Sequence, residues 1–232
     1  PNPQLGLRSI RFSLSHPEQF RQQLRAMLRD GADTPALRIM FPMIMSLDEF
    51  RQVRAILEDI LRSLAGEGAP HHTAPALGVM IEVPAVVEII DDLAKEADFL
   101  SIGTNDLVQY LLGVDRMNAL VAYAYRPEHP AVLRTLKRLS AAARKAGKEI
   151  SVCGEMASDR DLLPFLLGVG IRHLSVDPHR LPVLQRQIGE ITTEGARAYA
   201  ERLLAESSLE GVHAVMKGDV HPLKKNGKEG AG

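Results

Sequence analysis

Asn105 and Asp106 stand side by side in the string Ser101-Ile-Gly-Thr-Asn-Asp106, directly after a short apolar run, and Arg116 follows close behind in Val114-Asp-Arg116. Glu82 ends an earlier apolar run, Leu77-Gly-Val-Met-Ile81. Two carboxylates at the ends of neighbouring strands make a hard-oxygen site of the kind Mg²⁺ takes. An arginine beside them can grip phosphate or carboxylate through two parallel bonds. Asn105 adds a donor without adding charge. Such a set suits a small, doubly anionic, phosphorylated molecule.

Each residue also has an ordinary role. One loop carboxylate alone is most simply a cap for the following helix. Two at adjacent strand ends favour metal ligation by Glu82 and Asp106, because neighbouring carboxylates repel unless a cation or proton intervenes. Asn105 alone would be a turn residue. Arg116 has a surface pair with Asp115 as its alternative, worth about 0–1 kcal/mol. Arg8 is either a solvated loop arginine or a further anion contact, and Arg38, alternating with apolar positions on its strand, is a weaker candidate. Cys153 is the single cysteine and ends a strand. A lone cysteine is more often a small buried hydrophobe. With an ordinary pKa of about 8.5 it stays protonated at neutral pH, which suits a proton donor to an enolate carbon better than a nucleophile.

The elements that must position these groups alternate regularly. Short apolar runs at 37–41, 77–81, 99–102, 150–153 and 173–176 read as strands. Amphipathic helix patterns run over 15–29, 47–66, 85–97, from about 106, over 130–146, and from Ser158. Ser15/Glu18 and Ser46/Glu49 read as capping boxes, and Asp177-Pro178 as a cap with proline at the first helical position. Strands apolar on both faces, alternating with helices, imply a parallel sheet covered by helices. The chemistry-bearing residues then fall at the C-terminal strand ends, as in a (β/α)₈ barrel or an open doubly wound sheet. The domain is expected over 1–206, with 207–232 as a disordered tail.

Composition narrows the classes. The chain has 232 residues, 45% hydrophobic, with a formal charge of −1. That is enough for a full core, and one domain is the simplest expectation. No global field attracts nucleic acid or an anionic membrane. No apolar run nears the roughly 18–20 residues of a membrane span. One cysteine excludes a disulfide framework and fits a reducing cytoplasm. The histidines lack metal-ligand spacing, and no Walker loop, dinucleotide fingerprint or nucleophile elbow is present. The chain begins at Pro1 rather than methionine, so a processed, excised or incomplete product is expected.

Six strings now add up. Asn2-Pro-x-Leu-Gly-x-Arg8-x-Ile-Arg11, Leu37-Arg-Ile-Met-Phe-Pro-Met43, Gly78-Val-Met-Ile-Glu-Val-Pro84, Ser101-Ile-Gly-Thr-Asn-Asp-Leu107, Val114-Asp-Arg-x-Asn118 and Cys153-Gly-Glu155 resemble, in order, the C-terminal domain of enzyme I. This is the phosphoenolpyruvate–protein phosphotransferase family of the bacterial sugar phosphotransferase system. The resemblance implies a TIM-type barrel that binds phosphoenolpyruvate and Mg²⁺, here incomplete, with about five of the eight β/α units. It implies that Glu82 and Asp106 hold the metal and that Arg8, Asn105 and Arg116 contact the phosphoryl group. Cys153 would donate the proton that turns the pyruvate enolate into pyruvate. It further implies a cytoplasmic homodimer, a phosphoryl-accepting histidine in an N-terminal domain, and an HPr-like phosphocarrier as partner. Neither that domain nor the first barrel strands match anything in this chain, so the isolated chain is expected not to complete the transfer.

Other assignments remain open at this level. Pyruvate phosphate dikinase and phosphoenolpyruvate synthase share the shorter motifs, and a nitrogen-regulatory enzyme I would look the same over this length. A non-catalytic association or sensing module is the alternative from another class, and a Mg²⁺-enolate lyase on a similar barrel is a third.

Overall fold

The computed structural model describes residues 4–218 and 221–223. Its contacts fall into two compact units, Pro1–Ser101 and Ile102–Gly232, where length alone favours a single domain. A parallel sheet of five strands runs in the order β1-β2-β3-β4-β5 among the described residues, with helices between successive strands. This is the α/β class expected from the alternation of apolar runs and amphipathic patterns.

The first unit opens with α1 (Ser9–Ser15) and α2 (Pro17–Asp30). The expected Ser15/Glu18 box is not formed. Pro17 takes the first helical turn, where its fixed φ and missing N–H cost nothing. His16 is therefore the N-cap, and Ser15 Oγ turns back to donate to the Phe12 carbonyl at 2.9 Å. Strand β1 (Arg38–Phe41) leads to α3 (Leu47–Gly66), where Ser46 is the N-cap as expected and Glu49 reaches the residue before it. Ser46 Oγ accepts the Glu49 N–H at 3.1 Å, and the Glu49 carboxylate reaches back to the Met45 N–H at 2.6 Å. Phe50, Val53, Leu57, Ile60 and Leu64 form its buried face.

Strand β2 (Ala76–Ile81) lies parallel to β1, with Arg38 opposite Ala76 and Phe41 opposite Val79. The single helix expected over 85–97 is two helices, α4 (Pro84–Glu88) and α5 (Ile90–Glu96), broken at Ile89 with φ −107° and ψ 17°. Val86, Val87, Ile89 and Ile90 are β-branched and weak helix formers. The break lets Val86, Val87, Ile90 and Leu93 all reach the core.

Strand β3 (Phe99–Gly103), buried at every position, carries the division between the units. In the second unit follow α6 (Thr104–Leu112), α7 (Pro130–Lys145), β4 (Glu149–Cys153), α8 (Leu163–Gly168) and β5 (His173–Leu174). Helices α9 (Leu181–Glu190), α10 (Thr193–Ala205) and α11 (Leu209–Lys217) complete it. His129 is structural, as its sequence context suggested: Nδ1 accepts the Ala131 N–H and caps α7. Strand β5 is shorter than expected and pairs with β4 through His173 and Leu174.

Two further expectations need correction. Ser158 does not open a helix but ends a 3-10 turn; Asp159 Oδ1 accepts the N–H groups of Asp161 and Leu162 and leads into α8. The disordered tail expected from 207 instead begins with α11, because Ser208 Oγ caps Gly211 and Val212 is buried. Helix α11 is anchored by the buried Val212 and by His213, whose Nε2 lies 2.9 Å from Glu128 Oε1. The remainder of the expected tail, at 219–220 and 224–232, lies outside the described residues.

Helices α8 and α10 pack at Gly168, where an added methyl would overlap the Ala196 backbone carbonyl. Gly168→Ala is expected to lower unfolding stability by about 1–3 kcal/mol, read from urea unfolding, since the obstacle is backbone rather than a flexible side chain.

Candidate active site

Glu82 follows the last residue of β2 and is only 6% exposed. A buried carboxylate needs charge-assisted donors, and Oε2 takes one from the Met43 N–H at 2.9 Å. Met43 pays conformationally for that bond. Its φ is +59°, a left-handed backbone that costs a non-glycine residue about 1–2 kcal/mol. Pro42 and the buried Met43 side chain hold the turn in place. Met43 is a site residue that sequence reasoning passed over; the signal available was the irregular Phe41-Pro-Met43 string, which shows no side chain able to do chemistry.

Arg8 precedes α1 as its N-cap residue, and Nη1 donates to Gln4 Oε1 at 2.7 Å. Arg11, one turn on, ties the same loop down through the Leu5 carbonyl at 3.0 Å and reaches Met45 Sδ at 2.9 Å. Arg38 is placed elsewhere. It starts β1, at the opposite end from the chemistry-bearing strand termini, and its guanidinium stacks 4.0 Å above the Phe99 ring. Alternation along a strand marks the face a residue shares but not which end of the sheet it occupies.

The second unit gathers the other four candidates. Asp106 lies in the first turn of α6 and is 6% exposed. Its Oδ1 faces Arg116 Nη2 at 3.8 Å, an ion pair too long for a direct hydrogen bond. Arg116 thus pairs with Asp106 rather than Asp115, whose Oδ1 accepts the Met117 N–H instead. The Arg116 Nε is buried without a hydrogen-bond partner among the described residues. A buried donor left so is costly unless an acceptor arrives.

Asn105 and Cys153 line a common cleft of about 600 Å³ with Gly154, Glu155, Ser175 and Arg180. Asn105 Oδ1 accepts the Glu155 N–H at 3.1 Å. Thr104 Oγ1 donates to the Cys153 carbonyl at 2.7 Å, and Cys153 Sγ lies 3.5 Å from the Ile102 carbonyl, a geometry for a protonated thiol. Gly154 permits this approach. Its φ of +93° suits glycine alone, and a Cβ would sit 2.6 Å from Thr104 Oγ1 and 2.7 Å from Asn105 Oδ1.

Among the described residues no three His, Cys, Asp or Glu side chains form a metal cluster. Buried single carboxylates such as Glu82 and Asp106 still fit Mg²⁺ chemically, because that ion takes one or two protein carboxylates and completes its shell with water and substrate phosphate.

Tyr125 is the second residue that sequence reasoning missed, having no motif of its own. Burial pushes its phenol up to about 12; Arg116 pulls the other way, and Glu155 and Asp106 add to the rise. It is thus a neutral donor among charged groups. The unfolded phenol ionises near its ordinary value of about 10, so between roughly pH 10 and 12 the folded chain keeps a proton that the unfolded chain loses. Stability is unaffected by this group below pH 10 and falls as pH rises through the window. Urea midpoints at pH 9 and pH 11 are expected to show the loss, and Tyr125→Phe to reduce it.

Comparison with known proteins gives the fold and the family. The fold is similar to the crystal structure of a citrate lyase from Burkholderia xenovorans LB400, with a TM-score of 0.54 and 23% identity over 80% of this chain and 58% of that one. The sequence is 42% identical over 216 residues to the phosphoenolpyruvate-protein phosphotransferase of Bacillus subtilis (strain 168), covering 93% of this chain and 38% of that protein. The same-named protein of Priestia megaterium is 42% identical over 220 residues, covering 95% and 38%. The chain therefore spans well under half the length of these relatives. The family model described as "PEP-utilising enzyme, PEP-binding domain" matches residues 1–193, and the chain belongs to that family.

Proposed function

We propose that this chain binds phosphoenolpyruvate with Mg²⁺ and serves phosphoryl transfer from it to a protein histidine, releasing pyruvate. The observation that carries the proposal is the Asp106–Arg116 pair. A buried carboxylate faces a guanidinium with a buried, unpartnered Nε, and Asn105, next to Asp106 in the chain, lines a cleft with Cys153. Such a pair can take a cation on one side and a phosphoryl oxygen on the other.

In this proposal Glu82 and Asp106 are the metal ligands, as their burial at strand termini and their motif positions suggest. Bound Mg²⁺ supplies charge neutralisation at phosphate and carboxylate oxygens. Arg8, Asn105 and Arg116 hold the phosphoryl group by charge-assisted bonds, so that positioning rather than covalent chemistry lowers the barrier. The bond from phosphorus to the enol oxygen breaks, the phosphoryl group passes to an imidazole nitrogen, and the electron pair stays on the enolate. The Cys153 thiol delivers a proton to the enolate carbon, and the resulting thiolate recovers one from water.

The acceptor histidine, an HPr-like carrier, cytoplasmic residence and a homodimer belong to the proposal as properties of a longer phosphotransferase. No helix among the described residues is long and apolar enough to cross a membrane. Titration calorimetry with phosphoenolpyruvate and Mg²⁺ tests the proposal. Asp106→Ala is expected to weaken binding on the order of a hundredfold, as truncation of a buried charge partner does. Undiminished affinity in that variant would remove the metal assignment.

A further inference from the structure

Arg116 lies in a loop beyond the C-terminus of α6, and an anion-binding guanidinium on a loop is only as accurate as the loop is fixed. The bonds that fix it converge on one residue. Gln109 is buried to 3% exposure inside α6, one turn after Asp106 and therefore on the same helix face. Its main-chain carbonyl accepts the N–H of Gly113, the left-handed C-cap, and that of Val114 at 2.9 Å. Its side-chain Oε1 accepts the backbone N–H of Arg116 at 3.1 Å.

A glutamine costs more to bury than a leucine or methionine unless its amide is used. Here the amide oxygen satisfies an N–H that has left the helix ladder and would otherwise lack a partner. Asp106 faces the guanidinium at one end of the residue, and Gln109 holds the main chain at the other. A carboxylate at 109 would also accept the bond but would add a like charge one turn from Asp106. The neutral amide does the work without repulsion.

We infer that Gln109 is the positioning residue for Arg116, acting on the phosphoryl-binding guanidinium through its backbone rather than by touching substrate. This inference rests on the reading given under Proposed function. Gln109→Met keeps the length and buried volume of the side chain while removing its acceptor. The variant is expected to stay folded with at most a modestly lowered thermal midpoint, to lose hydrogen-exchange protection at the Arg116 amide, and to bind phosphoenolpyruvate with Mg²⁺ about tenfold more weakly, the scale of one lost hydrogen bond. In an Arg116→Ala background the same change is expected to have no further effect on binding, since the group it positions is gone.

A merely structural glutamine would instead weaken both backgrounds equally. Binding that is tight in wild type and unchanged in Gln109→Met, or the same loss in both backgrounds, overturns the assignment of Gln109 and leaves the functional reading intact. Failure of the wild-type chain to bind phosphoenolpyruvate overturns both. Retained protection at the Arg116 amide in Gln109→Met overturns the assignment whatever the binding shows.

Discussion

A carboxylate removed from water has to be compensated, and in this protein that requirement falls on Glu82 and Asp106. The two solutions differ. Glu82 draws a backbone N–H from Met43, which adopts an unfavourable left-handed φ to supply it. Asp106 faces a guanidinium at 3.8 Å, beyond direct hydrogen-bond distance. An ion pair held beyond hydrogen-bond distance forgoes much of its own gain, and strain at Met43 is retained in a turn that supplies one oriented N–H.

The scaffold explains how such groups come to be held. Parallel strands deliver their C-terminal ends to one edge, and Glu82, Asn105, Asp106 and Cys153 lie at or just after the ends of β2, β3 and β4. Asn105 and Asp106 follow β3, and Cys153 closes β4. Gly154 then lets the chain turn against Thr104 and Asn105, so that two strand ends share hydrogen bonds where any larger residue would separate them. The cleft beside them depends on the absence of one methyl group.

Much of this was legible in the residue order. Apolar runs located all five strands, although only β3 is buried at every position and β1 alternates buried with exposed residues. Ser46 with Glu49 marked a helix start correctly, since both partners lie within one turn and need no distant contact. Ser15 with Glu18 failed because Pro17 shifted the helix start by two residues, and the break at Ile89 went unseen because it serves burial against neighbours. Helix α11 was hidden for a similar reason: its cap is local, but its anchor, Val212, depends on what packs over it.

By itself, then, the sequence determined the alternation of elements, the family, and which residue types stand at strand ends, because hydrophobic periodicity and irregular motifs are properties of order along the chain. Tertiary structure decided partnership. It paired Arg116 with Asp106 instead of its neighbour Asp115, sent Arg38 to stack on Phe99, and brought Tyr125 among charged groups. It also made Met43 and Gln109 matter through a backbone N–H and a side-chain amide oxygen. Such choices rest on distances of a few ångströms between residues far apart or of unremarkable type, and only the packed chain sets those distances.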